Sequence, residues 1–295
     1  MKKPVIVYYE ILKYQPENLR LLSDNFRIIS LPDPNAGTLK ILGQADVVLA
    51  PLGYYFGKEK IDLASKLKVI ASNTTGHPHI DADYAGKKGV KVITLKKYKE
   101  FLQKITPTAE LTWGLIIALT RNMITAYRSV LEGRWDRRPF GASSMLSRMN
   151  LGIAGYGRLG KMVGRYGRSF GMAVRYYDPF VSSATGGIKR VNSLRELIKS
   201  SDIVTIHIPH NPGTENLFDR KTFSGFKKGS YLINTSRGEL IDHEALLKCL
   251  EDGTLAGAAL DVFEGEFKSD FSGILKKHPL IKYAGKHANL IITPH

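Results

Sequence analysis

Short runs rich in Val, Ile and Tyr recur along this chain, with stretches of helical pattern between them. PVIVYY, FRIIS, DVVLA, LKVIAS and KVITL fall in the first hundred residues, and NLGIAG, AVRYYD, DIVTIHIP, SYLINTS, AGAALDVF and NLIITP lie beyond residue 148. A strand with one wet face alternates polar and apolar residues. A nearly continuous apolar strand is covered on both faces, which is the situation of parallel sheets whose strands are joined by helices. The fold class is therefore α/β.

A chain of 295 residues is long enough for two such domains. LKILGQADVVLAP (residues 39–51) and LRELIKSSDIVTIHIP (residues 194–209) share a plan of helix end, small polar turn, Asp, strand and proline, which suggests two similarly built units. The boundary is expected near QKITPTAE, because Pro107 disfavours helix in the residue before it and Thr108 can cap a helix that starts beyond it. The expected division is a first domain over 1–107 and a second over 108–295. The second would open with one long buried helix over 109–132, ended by Gly133.

The net charge of +16 raises the question of nucleic acid. The basic residues are spread over the whole length, with only small clusters such as KKYKEFLQK and RWDRRP and no finger, zipper or RNA-recognition signature, so a solvated basic surface is the expectation. The single cysteine, Cys249, lies in the helical stretch HEALLKCLEDG and is expected to be an apolar helix residue. No disulfide can form within the chain, which fits a reducing cytoplasm. MKKPVIVYYE has no leader pattern, and the apolar stretch LTWGLIIAL is half the roughly 20 residues that cross a bilayer. Neither a membrane nor a metal is expected.

LGIAGYGRLG carries G-x-G-x-x-G at Gly155, Gly157 and Gly160. The pattern alone is weak, but here a strand precedes it, and Leu159, Met162, Val163, Tyr166 and Phe170 come after it at helical spacing. The first glycine permits a tight turn, the second lets backbone approach a pyrophosphate, and the third lets helix and strand pack closely. Phosphates would sit on free amides at the positive end of that helix. AVRYYD ends in Asp178, eighteen residues beyond Gly160, where a carboxylate can accept from both ribose hydroxyls and would repel a 2′-phosphate. NAD is favoured over NADP.

Three later segments end a strand pattern with polar residues: NTSRGELID with Arg237, LDVFEGEF with Asp261 and Glu266, and IITPH with His295. In an open parallel sheet such positions converge on one crevice. Arginine suits a small carboxylate, histidine exchanges protons near neutral pH, and a neighbouring glutamate stabilises its charged form. Singly, each has a plain structural explanation. Together, downstream of a dinucleotide turn, they describe hydride transfer at a carbon beside a carboxylate.

Over almost its whole length the chain resembles the NAD-dependent D-isomer-specific 2-hydroxyacid dehydrogenases. The likeness runs through GHPHIDADYAGKKGVKVI, PTAELTWGLIIALTRN, GRW, GIAGYGRLG, YDP, HIPHNPGT, INTSRGELID, GAALDVFEGE and IITPH. It implies a Rossmann-type doubly wound NAD-binding domain and a flavodoxin-like substrate domain made of the N-terminal stretch and a C-terminal return. By resemblance Arg237 would hold the substrate carboxylate, and His295, oriented by Glu266, would exchange a proton with the 2-oxo group of a small 2-hydroxy or 2-oxo acid. Arg158 and Leu159 would give amides to the pyrophosphate and Asp178 would bind the ribose. Thr235 and Asp261 would line the nicotinamide end, and His207, Pro209 and Thr214 would complete the cofactor site. Thr75 and Gly76 would offer amides to the substrate carboxylate. Family members are commonly homodimers joined through the nucleotide-binding domains, which makes the long helix a candidate interface.

Some features depart from the family pattern. Phe267 stands where a proline is common, a change that would loosen its loop. His77, Pro78 and His79 replace small or acidic residues, either as solvated loop residues or as contacts to an anionic substrate. In the family Thr-Pro-His leads into a further segment that returns to the substrate domain, so His295 reads as an acid at a cut end and the chain as part of a longer protein. The alternatives are an NAD(H)-responsive binding protein resembling the corepressors of this family, or an inactive truncated paralogue.

Overall fold

The apolar runs of the sequence pair into two parallel sheets in the computed structural model, which describes residues 2–35, 39–142, 144–183, 186–268 and 270–295. The chain divides into two units, Met1–Ile105 with Phe267–Phe271 and Thr106–Glu266 with Ser272–His295. In the first, β1 (Val5–Tyr9), β2 (Arg27–Leu31), β3 (Val47–Leu49), β4 (Val69–Ala71) and β5 (Lys91–Ile93) lie in the order β2-β1-β3-β4-β5. That is the flavodoxin-like winding. Strand alternation sorts β1 between two cores: Val7 and Tyr9 pack with Val48 and Ile70, whereas Ile6 and Tyr8 pack with Leu49.

The second unit holds β6 (Asn150–Ala154), β7 (Ala173–Tyr177), β8 (Lys189–Arg190), β9 (Ile203–Ile206), β10 (Ser230–Asn234), β11 (Leu255–Leu260) and β12 (Leu290–Ile292). Their order is β12-β11-β10-β9-β6-β7-β8, so the winding reverses between β6 and β9, as in a Rossmann sheet. On its core the helix Pro107–Thr120 meets the helix Arg158–Ser169. Trp113 stacks on Phe170 with centroids 4.6 Å apart, and its Nε1–H donates to the Val163 carbonyl at 3.2 Å.

The expected single helix over 109–132 is instead two, Pro107–Thr120 and Met123–Leu131. Asn122 breaks it: its backbone is left-handed (φ 51°), a conformation asparagine tolerates, and its Nδ2 donates to the Phe140 carbonyl at 3.2 Å. The first helix also starts earlier than expected. Pro107 is its first residue and Thr106 its N-cap, while the Thr108 carbonyl accepts from the Thr112 hydroxyl inside the helix. Gly133, at φ 78°, ends the second helix as expected.

The plan shared by the two sequence segments has a common physical basis. Asp46, at the foot of β3, accepts from the Val5 amide at 2.9 Å and from Lys68 at 2.9 Å. Asp202, at the foot of β9, accepts from the Asn150 amide at 2.8 Å, from Asn150 Nδ2 at 3.0 Å and from Lys227. Each aspartate thus ties together the starts of the central strands of its own sheet. Burial raises the Asp202 pKa, but the Lys227 and Asn150 hydrogen bonds outweigh it and hold the carboxyl below the usual range. Because that pKa is lowered on folding, the stabilisation is present above about pH 4 and is lost as the pH falls below it. Asp202→Ala should therefore cost about 1.5–3 kcal/mol in urea unfolding at pH 7, and the gap to wild type should close in acid.

One titratable core residue adds to the loss of stability in acid. His243 is 8% exposed, and neither ring nitrogen has a hydrogen-bond partner among the described residues. Burial first, and then His278, push its pKa down to about 4. The unfolded chain binds the proton more readily, so stability is full above about pH 6.5 and falls as the pH drops towards 4. Replacing His243 by Phe should remove up to about 3 kcal/mol of that acid-side loss, measured as unfolding free energy against pH for both proteins.

Candidate active site

Hydrogen-bond register aligns the upper ends of six strands of the second unit. Tyr177 pairs with Ala154, Ala154 with Ile206, Ile206 with Asn234, Asn234 with Leu260, and Leu260 with Ile292. The next residue on each strand is Asp178, Gly155, His207, Thr235, Asp261 and Thr293. Five of these six are residues picked out from the sequence. They stand in one row past the carboxyl edge of the sheet.

The glycine turn occupies the point where the winding reverses. Gly155, at φ 91°, gives its N–H to the Tyr177 carbonyl at 2.9 Å, and a Cβ there would lie 2.6 Å from the His207 carbonyl oxygen. A Cβ at Gly160 would collide with the Gly155 carbonyl, whereas at Gly157 it would meet nothing within 4 Å. Two glycines therefore permit close packing and the middle one leaves the backbone open. The helix Arg158–Ser169 has no side-chain cap and no acidic residue in its first turn. Its N-terminal amides and positive dipole end are thus suited to an anion, which is the fit a pyrophosphate needs.

Asp178 is held tightly. Its Oδ2 accepts from the Tyr156 amide at 2.8 Å, and its Oδ1 from the amides of Phe180 at 2.8 Å and Val181 at 3.2 Å. The carboxylate fastens the glycine turn to the end of β7 and keeps a remaining acceptor site, since an ionised carboxylate has about four. His207 donates its amide to the Ala154 carbonyl at 2.7 Å, and its Nε2 lies 2.8 Å from Thr205 Oγ1. Burial pushes the His207 pKa down to about 4, so its ring is neutral at physiological pH. The loop after it is closed by Thr214, whose hydroxyl donates to the Pro209 carbonyl at 2.9 Å.

Beyond β10, the Thr235 hydroxyl meets Thr112 Oγ1 of the helix Pro107–Thr120 at 2.8 Å. Asn234 Nδ2 donates to the Arg237 carbonyl at 2.7 Å, and the Ser236 hydroxyl to the Ile208 carbonyl at 2.6 Å. The backbone carrying Arg237 is thereby braced to the strand below it and to the His207 loop. Gly238 then lets this loop touch the next one: a Cβ there would collide with the Phe263 carbonyl carbon and the Glu264 amide nitrogen. The Gly265 amide lies 3.4 Å from Glu239 Oε1.

Asp261 is 6% exposed and accepts from the Thr293 hydroxyl at 2.5 Å, while the Thr293 amide bonds the Leu260 carbonyl at 2.9 Å. These two bonds hold the end of β12, and two residues on His295 Nδ1 lies 2.9 Å from Glu266 Oε1. The side chains of His295 and Glu266 are 25% and 10% exposed. A carboxylate bonded to Nδ1 fixes the ring orientation.

In the first unit Thr75 and Gly76 lie on the loop after β4, which is pinned by Thr74 Oγ1 to the Gly76 carbonyl at 2.5 Å and by Thr94 Oγ1 to the Thr75 carbonyl at 3.3 Å. His77 is exposed. His79 is neither solvated nor available to an anion: it is fully buried, with Nε2 at 3.1 Å from Ser72 Oγ, and it braces the same loop from beneath. Cys249 is an inert core residue whose thiol burial pushes up to about 11. Thr112, Gly238 and Thr293 were not picked out from the sequence, because their part is to brace other residues. Only the glycine of SRGE offered a signal.

No helix among the described residues is long and apolar enough to cross a membrane, and none of their His, Cys, Asp and Glu groups could hold a metal ion. The chain is similar to known proteins over most of its length. Residues 113–295 match the family described as D-isomer specific 2-hydroxyacid dehydrogenase, NAD binding domain. The D-3-phosphoglycerate dehydrogenase of Methanocaldococcus jannaschii is 34% identical over 260 residues, 87% of this chain but 46% of its own length, so the chain spans less than half of that relative. The glyoxylate reductase of Thermofilum pendens is 34% identical over 271 residues, covering 90% of this chain and 75% of its own. Among solved structures, D-lactate dehydrogenase from Aquifex aeolicus complexed with NAD and lactic acid superposes with a TM-score of 0.78 at 26% identity, covering 99% of this chain and 88% of that one. With its glycine turn built for NAD, the chain belongs to the D-isomer specific 2-hydroxyacid dehydrogenase family.

Proposed function

We propose that this protein interconverts a small D-2-hydroxy acid and its 2-oxo acid with NAD(H). The observation that carries this reading is the hydrogen bond between His295 and Glu266, past the same sheet edge that carries the glycine turn and the Arg237 loop. NAD(H), when bound, supplies or accepts the hydride. The amides of Arg158 and Leu159 receive the pyrophosphate, and the remaining acceptor site of Asp178 takes the adenine ribose. His207, Pro209 and Thr214 wall the cofactor, and Thr235 and Asp261 line its nicotinamide end.

Arg237 holds the substrate carboxylate through charge-assisted hydrogen bonds of about 1.5–3 kcal/mol each. Because Nδ1 of His295 bonds Glu266, the proton exchanged with the 2-oxo oxygen is carried on Nε2. Glu266 keeps the ring oriented and stabilises the imidazolium that forms when a hydroxy acid is oxidised. A panel of 2-oxo acids should reveal one that drives NADH oxidation. His295→Ala should then lower turnover roughly 10²- to 10⁴-fold while leaving NADH affinity unchanged. Equal losses in both would sink the assignment.

We also propose a homodimer. The helix Met123–Leu131 and the turn after it expose Met123, Tyr127, Val130, Leu131 at 68% and Trp135 at 90%, an apolar surface of the kind that a second copy covers. Sedimentation should give twice the mass of one chain, and Tyr127→Glu with Leu131→Glu should give the single mass. A monomeric wild-type protein would rule the dimer out.

A further inference from the structure

The Phe263 carbonyl accepts the Glu266 amide at 3.3 Å, closing a turn through Gly265 at φ 71°. Glu266, the last residue of that turn, bonds His295. Where Phe263 sits therefore determines where the Glu266 carboxylate can reach. Its backbone is pressed against Gly238, and its ring, 5% exposed, is packed against two histidines that the proposed reaction does not use. The ring centroids of His243 and His278 lie 4.6 and 4.7 Å from that of Phe263, and those of the two histidines are 5.2 Å apart with their planes at 88°.

Both rings are suited to this packing only when neutral. His243 opens the helix His243–Glu251, whose N-cap Asp242 accepts from the amides of Glu244 and Ala245. His278 caps the helix Pro279–Ala284, its Nδ1 accepting the Leu280 amide at 3.2 Å. The positive end of a helix disfavours a proton on either ring. Asp242 facing His243 and Glu264 facing His278 pull the other way, but burial outweighs them and pushes both histidines down. An edge-to-face contact with an aromatic ring then takes the place of the hydrogen bonds that His243 lacks.

We propose that His243 and His278 are positioning residues, which seat the Phe263 ring and through its turn hold Glu266 at hydrogen-bond distance from His295. This rests on the reading of His295 and Glu266 as the proton-exchanging pair. The test therefore includes a readout that needs no substrate: the downfield proton resonance of the His295 Nδ1–H, assigned by its loss in Glu266→Gln.

In the intact protein, His243→Ala should broaden or abolish that resonance and cut turnover roughly 10- to 100-fold, the scale of a misplacement of about 1 Å, with the NADH dissociation constant unchanged. His243→Phe, which keeps a ring against Phe263, should restore both. Should His243→Ala not fold, His278→Asn preserves the helix cap, removes the ring, and should broaden the resonance in the same way. A resonance and turnover that survive His243→Ala or His278→Asn would overturn the proposal. So would turnover and NADH affinity that fall together. If the resonance responds as expected but no 2-oxo acid is reduced, the positioning stands and the proposed reaction fails.

Discussion

The parallel register of the seven-stranded sheet is the constraint on which the site depends. Six strands end level, so the residue just past each falls into one row without any loop having to reach for it. Adjacent strands lie about 4.8 Å apart, which spreads Asp178, Gly155, His207, Thr235, Asp261 and Thr293 along the crevice in chemical order. A slip of one residue in β11 would turn Asp261 to the opposite face and break its bond to Thr293, on which the approach to His295 depends. The aspartates at the feet of the sheets, Asp46 and Asp202, guard against such slips by clamping the starts of the central strands.

Above that row, loops are joined by side-chain hydrogen bonds and, at one place, by direct backbone contact. That place is Gly238: removing a single Cβ lets the Arg237 loop lie directly on the Phe263–Glu264 peptide. Arg237, Glu266 and His295, on three segments separated by tens of residues, are then linked by the backbone contact at Gly238 and by the bond between Glu266 and His295. A site organised in this way tolerates side-chain variation on its outer face and resists even an alanine at 238.

Much of this was legible in the chain because it is written in periodicity and punctuation. Every apolar run read as a strand is one, including β2 and β5 at the edges of their sheet, which are only partly buried, and the strand missed was β8, two exposed basic residues with no apolar signal. The glycine turn, Asp178, Arg237, Asp261, Glu266 and His295 stood out because strand ends that run into polar residues are conspicuous. Three features were not legible. Asn122 adopts a left-handed conformation inside an otherwise good helical pattern, and nothing local announces it. The burial of His79 depends on what covers it, not on its loop sequence. Thr112 and Thr293 act through hydroxyls whose partners are remote in sequence.

The row also explains how one edge can serve two opposite electrostatic tasks. At the glycine turn the anion-binding groups are backbone amides and a helix end, with no acidic side chain in the first turn and with His207 kept neutral by burial. Nothing there has to change protonation state for a cofactor to bind. Two to four strands away the groups are side chains instead: Arg237 follows β10, Glu266 follows β11 and His295 follows β12, with Glu266 bonded to His295. With strands about 4.8 Å apart, the two tasks are separated by about 10–19 Å, more than the Debye length of about 8 Å at physiological salt. On the reading proposed above, a change of charge at His295 would leave the anion-binding turn undisturbed.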